Sequence, residues 1–421
     1  MAFKDIRKSQ PFLTPADIAF MLFVLVMLVG LLALNFYVAR TFPGGEWLFQ
    51  RWAGVRAYWS GSSEPYGALV AQQTQALVYG RDAFLNEYPY ALNDPLYIIL
   101  LYSPLKFFSD FVTVRALWML FAEAALAGVI FLSLRLTEWQ APGWVVAAIF
   151  LLGFFNYFSL QALLSASPAI FLVLLVLGIL LALRSQADET AGLLLALLAY
   201  QWEVTAMAFL ALLVLALVNR RWNVATVLTM VTVALGAAAF LATPRWFLLY
   251  AQAIVFNWNR QLDIVFGTAL AFTFPAFQTS YAIWVTVGLS LLMLAEVIRA
   301  MDGQFVHIYW VVFLGAAITP LMGLAAFPSN HVVLVPAIVL VLALAWERWR
   351  SRRLLVFALL SSLWLGVSFG LYYFTQVSTT RLATDLQRFA PPLLTILGLY
   401  WMRWWAIRPP RIWADQIGVR K

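Results

Sequence analysis

The chain has 421 residues, of which 64% are hydrophobic and 11% are charged, and its mean hydropathy is +0.86. A soluble protein of this length does not have such a composition, so the chain is predicted to be a polytopic membrane protein. The lack of cysteine excludes disulfides and thiolate metal sites. The net charge of +8 comes without a folded basic module, which argues against nucleic acid as a partner and suits anionic lipid headgroups.

Apolar runs predict an all-α bundle of about twelve membrane spans, within a range of eleven to thirteen, in a single membrane domain over residues 1–421. In chain order the spans are 18–38, 95–108, 111–134, 144–160, 168–183, 191–218, 224–241, 280–298, 306–324, 332–346, 354–374 and 393–406. Two of them are irregular. Run 95–108 is only about 21 Å long, and run 191–218 is about 42 Å long against a hydrocarbon core of about 30 Å. The longer run is predicted to be one tilted helix or two half-helices.

The distribution of Lys and Arg predicts the orientation of the spans. With twelve spans and the N-terminus inside, 17 of the 27 basic residues fall on the inner side. Both termini are therefore predicted to be cytoplasmic, in a plasma membrane of bacterial type, with 407–421 as a cytoplasmic tail. The segment 40–93 is predicted to be an extracytoplasmic loop. The first apolar run has no small-residue cleavage site after it and is interpreted as an uncleaved helix.

The 40–93 segment combines polar and aromatic residues more densely than any other. It contains Gly44-Gly45-Glu46-Trp47 and later the pair Pro65-Tyr66, separated by an aromatic stretch that ends at Gly61. Trp and Tyr favour the headgroup level, so an amphipathic element at the membrane surface is predicted here. Glu46, at the mouth of the first span, is the leading candidate for a functional carboxylate. The alternative is an acid at a helix start, which is favourable by about 0.3–1 kcal/mol.

This order of residues resembles the polyprenyl-phosphate-sugar-dependent glycosyltransferases of the GT-C superfamily, most closely glycosyltransferase family 87. Those enzymes have a catalytic Asp just after the first membrane helix, then an aromatic-rich amphipathic helix, a Gly and a Pro-Tyr or similar pair. Here Glu46, Gly61 and Pro65-Tyr66 take these places. The resemblance implies transfer of a hexose, such as mannose, from polyprenyl phosphate to an extracytoplasmic acceptor with inversion. Glu46 would be the base, and Tyr66 would contact the substrate.

Four further residues are candidates for binding the substrate. Asp94 is predicted to contact acceptor hydroxyls, or else to cap the helix that the following proline begins. His331 stands where the family tends to have a histidine and is predicted to contact phosphate or sugar, or else to face headgroups. Arg245 and Arg260 are predicted to bind phosphate, or else to belong to an interfacial belt with the nearby tryptophans.

Two acids lie inside predicted spans, Glu123 and Glu203. A charge at the centre of a membrane helix costs roughly 2.5–3.5 kcal/mol on insertion scales, so both are functional candidates by default. Glu203 is predicted to pair with an arginine of another helix. The Lys-Pro pair that the family usually has near Trp202 is absent. No metal-ligand spacing is present, and no cofactor is predicted, because the lipid-phosphate sugar is itself the substrate.

Two other functions stay open at the level of sequence. The first is a catalytically degenerate relative that binds lipid or acts as a scaffold for partner membrane subunits, and the changed residues at Glu46 and near Trp202 favour it. The second is a transporter or flippase of lipid-linked sugars, which predicts broken helices and paired intramembrane charges in two related halves.

Overall fold

The computed structural model describes residues 15–61, 64–84, 87–261, 265–274, 276–301, 305–378 and 380–407. These residues form helices and connections, with no strand among them. The α-helices are α1 (Pro15–Thr41), α2 (Glu46–Ser60), α3 (Ala68–Tyr79), α4 (Leu96–Leu101), α5 (Phe111–Leu136), α6 (Gly143–Phe155), α7 (Tyr157–Leu164), α8 (Ala169–Arg184), α9 (Asp188–Leu198), α10 (Trp202–Val218), α11 (Trp222–Ala242), α12 (Trp246–Gln261), α13 (Phe266–Thr273), α14 (Ala282–Ala300), α15 (Phe305–Leu321), α16 (Val335–Arg348), α17 (Arg353–Val377) and α18 (Arg381–Ile407). Short 3-10 helices lie at Ser103–Phe107, Ala199–Gln201, Thr279–Tyr281 and Pro328–Leu334.

The predicted helical membrane bundle is confirmed at this level. By length and composition alone, seven helical stretches of the described residues could cross a membrane, or eight if the bent pair α6–α7 is one span. One of the seven is Asp188–Val218, which the contacts described below divide into two helices. The 52° bend of that pair is made by Asn156. Its side chain accepts a hydrogen bond from the Ser159 N–H and donates to the carbonyls of Leu152 and Gly153, which ends one helix and starts the next. The count of twelve spans is not confirmed.

Helices α1 and α5 run antiparallel, and this fixes the two ends of the bundle. Arg115, in the first turns of α5, donates hydrogen bonds to the carbonyl oxygens of Ala39 (3.3 Å), Phe42 (2.7 Å) and Pro43 (3.1 Å) at the end of α1. Thus α1 ends and α5 begins at the same level, called the Glu46 end below. The other level is called the opposite end.

The segment between α1 and α5 therefore stays at the Glu46 end. The prediction of a membrane span at 95–108 is wrong for this reason. That run folds as the six-residue α4 and the five-residue 3-10 helix Ser103–Phe107. At about 1.5 Å per residue, α4 is roughly 9 Å long and cannot cross a core of about 30 Å. The apolar side chains of α4 pack instead against α2 and the end of α11.

The long run 191–218 consists of two helices, as the second of its two predicted alternatives has it, but α9 and α10 fold back on each other as a hairpin. Arg221, just after α10, donates hydrogen bonds to the Leu183 carbonyl (2.6 Å) and to the carboxylate of Asp188 (3.1 Å), the first residue of α9. The start of α9 and the end of α10 therefore lie together at the opposite end. The chain reverses around Ala199–Gln201, and Thr205 has non-helical backbone angles (φ −128°, ψ 21°). The tip of this hairpin points to the Glu46 end.

Each of these two corrections removes one predicted membrane crossing. Because two crossings are removed, the spans after α10 keep their predicted directions. Lys106 and Arg115 move to the Glu46 end, whereas Arg135, in the last turn of α5, and Arg184, paired with Glu138, lie at the opposite end. The balance of basic residues between the two ends is therefore unchanged. Helix α1 begins and α18 ends at the opposite end, while the two termini themselves lie outside the described residues and their placement stays a prediction. Which side of a membrane each end faces stays a prediction.

Candidate functional site

Glu46 is the first residue of α2 and follows a turn that suits only glycine. Gly44 and Gly45 have φ values of +134° and +85°, and a Cβ at Gly44 would lie 2.5 Å from the Leu164 carbonyl oxygen. The Arg115 guanidinium holds this turn against α7, because it donates to the Leu164 carbonyl at 2.7 Å as well as to the end of α1. The Gly-Gly pair and Arg115 therefore fix the position of Glu46 at the junction of α1, α5 and α7.

The environment of Glu46 opposes its ionisation. Burial raises the pKa of its carboxyl from 4.5 to about 7, although its own backbone N–H and the charge of Arg115 act in the other direction. No described residue forms an ion pair with it. A carboxyl with a pKa near neutrality can both take and return a proton at physiological pH. Glu46 also occupies the predicted helix-start position, so its two predicted roles are compatible.

A small cavity, called the Trp47 cavity, is lined by the residue that follows Glu46, although the Glu46 side chain is not part of its lining. Its volume is about 20 Å³, which is enough for about one water molecule. Side chains from five separate parts of the chain form it: Trp47, Tyr88, Asn93, Pro168, Gln201, Glu203, Val204, Ala325, Phe327 and Asn330. Aromatic rings close it, with the Trp47 ring 5.0 Å from Phe327 and 5.6 Å from Tyr90 between centroids. A sugar must displace some of these side chains to enter.

Asp94 lies next to this cavity and is paired with Arg51. Both side chains are buried; the carboxylate accepts a hydrogen bond from Arg51 Nη2 at 3.0 Å, and its other oxygen lies 2.6 Å from Arg51 Nε in the ion pair. Arg51 also donates to the Trp47 carbonyl. Asp94 does not cap α4. The N-cap position of that helix is Pro95, and no side chain forms a capping hydrogen bond there. The pair instead ties α2 to the segment before α4 and so positions Trp47.

Tyr66 joins the same network from the other side. Its hydroxyl donates to the backbone carbonyl of Asp94 at 2.8 Å. Burial and the nearby charge of Asp94 raise the pKa of this phenol well above its usual range, so it stays neutral. The structure therefore brings Glu46, Asp94 and Tyr66 into one region through α2 and the residues that follow Tyr88.

His331 is adjacent to the cavity but faces away from it. It lies buried in the 3-10 helix Pro328–Leu334, and its ring packs edge-on against Phe158 at 5.2 Å and lies by the backbone of Gln387. Its neighbour Asn330 lines the cavity instead and donates to the Ala325 carbonyl at 3.0 Å. The predicted contact of His331 with phosphate or sugar would need the ring to turn.

The two predicted arginines are at or near α12. Arg245 is exposed just before this helix, whose first residue, Trp246, is buried against Tyr97 and Tyr250. Arg260 falls in the last turn of α12, and its side chain lies outside the described residues. The described side chains therefore do not join Arg245 to Glu46.

Sequence reasoning missed most of the residues that close the site. Glu203, at the tip of the α9–α10 hairpin, interacts with the side chain of Asn93, and no arginine among the described side chains forms the ion pair that was predicted for it. Tyr200, also at the tip, lies against Tyr102. The polar interruption at Gln201-Trp202-Glu203 marked this stretch as unusual, but only the reversal of the chain brings it to Asn93.

The fold and the site together define a helical membrane bundle with a buried cluster of acids, tyrosines and two arginines at one end. No protein-family model, no curated protein and no solved structure matches the chain. The chemistry of the site is therefore the guide to its function.

Proposed function

We propose that the protein is a membrane glycosyltransferase with Glu46 as its general base. It would move a hexose, such as mannose, from a polyprenyl-phosphate donor to an acceptor hydroxyl at the Glu46 end, which would face the extracytoplasmic side. The observation that carries the proposal is the Glu46 carboxyl itself, which follows the fixed Gly44-Gly45 turn, directly precedes a residue that lines the Trp47 cavity, and has a pKa of about 7. A base of this pKa can be half-ionised at neutral pH and still accept a proton in the transition state.

In this reaction Glu46 removes the proton of the acceptor hydroxyl as its oxygen attacks the anomeric carbon of the donor. The bond between that carbon and the phosphate oxygen breaks, and polyprenyl phosphate leaves with the electron pair, so the anomeric centre is inverted. Arg51 and Arg115 cannot easily bind the departing phosphate, because Asp94 and five backbone carbonyls already engage them. Arg245 and Arg260 are the proposed phosphate ligands.

An apolar groove supports a lipid substrate. It lies between α16, α17 and α18, has a volume of about 410 Å³ and is lined by side chains such as Leu363, Leu394 and Trp401. Trp364 belongs to the groove and packs against Phe158 at 5.7 Å, and Phe158 in turn contacts His331 beside the Trp47 cavity. A prenyl chain in this groove would have its phosphate end directed toward the site.

The proposal is tested with the full chain in lipid nanodiscs and radiolabelled polyprenyl-phosphate hexoses. Glu46→Gln should lower transfer by about 10²–10⁴-fold, the usual effect of removing a general base. Glu46→Asp should retain transfer, since it keeps the base and has the acid of the resembling family. Glu87→Gln is the matched control, because Glu87 is a partly exposed acid at the same end that pairs with Arg81. Unchanged transfer in Glu46→Gln would exclude Glu46 from the reaction.

A second candidate function is a degenerate subunit that binds lipid or acts as a scaffold in a larger membrane complex. It is favoured by the closed Trp47 cavity of about 20 Å³ and by the buried Arg51–Asp94 pair. This function predicts no transfer by the wild type, Glu46→Gln or Glu46→Asp, with binding of polyprenyl phosphate equal in all three.

A further inference from the structure

A second and larger cavity, called the α3–α12 groove, lies between those two helices at the Glu46 end. Its volume is about 520 Å³, within the range of about 300–1,000 Å³ that is common for small-molecule sites. Pro89 and Ala91 form part of its lining. The residue between them, Tyr90, is buried and turns the other way, toward Trp47. A single stretch of chain therefore separates the groove from the Trp47 cavity.

Side chains of α3 and α12 form hydrogen bonds to the 89–91 stretch, which separates the groove from the Trp47 cavity. Asn257 of α12 donates to the Ala91 carbonyl at 2.7 Å, and Gln75 of α3 donates to the Pro89 carbonyl at 2.5 Å. Tyr90 has a left-handed backbone (φ 48°), an arrangement that a non-glycine residue adopts only when its surroundings enforce it. The groove is thus preformed, and its strained wall contacts the residue next to Glu46.

The chemistry of the lining suits a neutral compound rich in hydroxyl groups. Exposed amide and carboxylate groups are supplied by Gln72, Asp82 and Gln252, and aromatic faces by Tyr66 and Phe256. Amides and carboxylates exchange hydrogen bonds with hydroxyls, and aromatic rings cover the apolar faces of sugar rings. None of the described lining residues is basic, so the groove does not match a phosphate or another anion.

We propose that the α3–α12 groove binds a neutral carbohydrate, the glycan part of the acceptor, and presents its hydroxyl to Glu46 past Tyr90. This rests on the proposed transfer reaction for its biological meaning, but the binding itself does not depend on catalysis.

The test is saturation-transfer difference NMR of the full chain in nanodiscs, with methyl α-mannopyranoside and methyl α-glucopyranoside as probes and no donor present. Gln72→Ala and Gln252→Ala should each weaken binding about fivefold to tenfold, as expected for one lost hydrogen bond. Gln73→Ala is the matched control, because this exposed neighbour faces a different cavity with Trp52.

Equal binding by wild type, Gln72→Ala, Gln252→Ala and Gln73→Ala would overturn the proposal, and so would tighter binding of mannose 1-phosphate than of the methyl glycosides. The binding measurement and the transfer assay test different claims, so one can fail while the other succeeds. Loss of binding in the two groove variants together with no transfer by the wild type would retain the carbohydrate site and reject the transferase.

Discussion

Replacing Glu46 by glutamine removes a carboxylate whose ionisation the fold opposes. Its pKa rises from 4.5 to about 7 on folding, and a difference of about 2.5 pH units corresponds to roughly 3 kcal/mol. Because the folded-state pKa is the higher one, the protonated form favours folding at low pH. That contribution is lost as the pH rises through about 7. We therefore expect Glu46→Gln to raise the free energy of unfolding by up to about 3 kcal/mol at pH 8 and to change it little at pH 4.

The assay is unfolding in nanodiscs, followed by the fluorescence of the 19 tryptophans at pH 4, 6 and 8. Glu87→Gln is the control, because its effect on stability should depend on pH in the opposite direction. Its hydrogen bonds with Arg81 lower the pKa of Glu87 to about 2, so that acid stabilises the fold above pH 4.5 and loses this effect as the pH falls toward 2. A destabilised Glu46→Gln at pH 8, or a stability change that does not vary with pH, would refute the account of this site.

Three further predictions concern the fold. Arg51→Met should destabilise the protein by about 3–5 kcal/mol in denaturant unfolding, because it leaves Asp94 buried and unpaired. The double variant with Asp94→Leu should recover most of that loss, and a double variant that recovers none of it would contradict the pairing. Asp188→Cys with Arg221→Cys in the cysteine-free chain should be joined by a short bifunctional thiol cross-linker, visible as a mobility shift, whereas a straight 191–218 helix would keep the two sites tens of ångströms apart. Lys106→Cys should react with an impermeant maleimide from the side that the α2–α3 segment faces, and labelling from the side of the α17 start would restore the predicted span at 95–108.

The helical membrane class follows from composition, and local signals locate several elements. The uninterrupted run after Ile18 gives α1, and Gly44-Gly45 before Glu46 correctly marks a tight turn into a helix. Runs 95–108 and 191–218 were misplaced for a common reason. Hydropathy reports that a stretch is apolar, but α4 buries its apolar residues against α2, and α9 reverses into α10, without crossing as one helix.

The site could be predicted only in part from the sequence, because its residues are far apart in the chain and come together only in the fold. The carboxylate at Glu46 could be singled out from its local pattern. The Arg51–Asp94 pair spans 43 residues, and the bond from Ser167 to Asn330 spans 163. No periodicity or spacing in one sequence records which buried polar groups become partners. Sequence reasoning therefore found the acid and missed the tyrosines and amides that enclose it.

The measurement that tests the central claim most directly is the pH dependence of hexose transfer. If Glu46 is the base, the transfer rate of the wild type should fall tenfold per pH unit below about 7, as its carboxyl becomes protonated. The residual rate of Glu46→Gln should be about 10²–10⁴-fold lower above pH 7 and should lack that inflection. An inflection near pH 7 that persists in Glu46→Gln would show that another group takes the proton and would contradict the role assigned to Glu46.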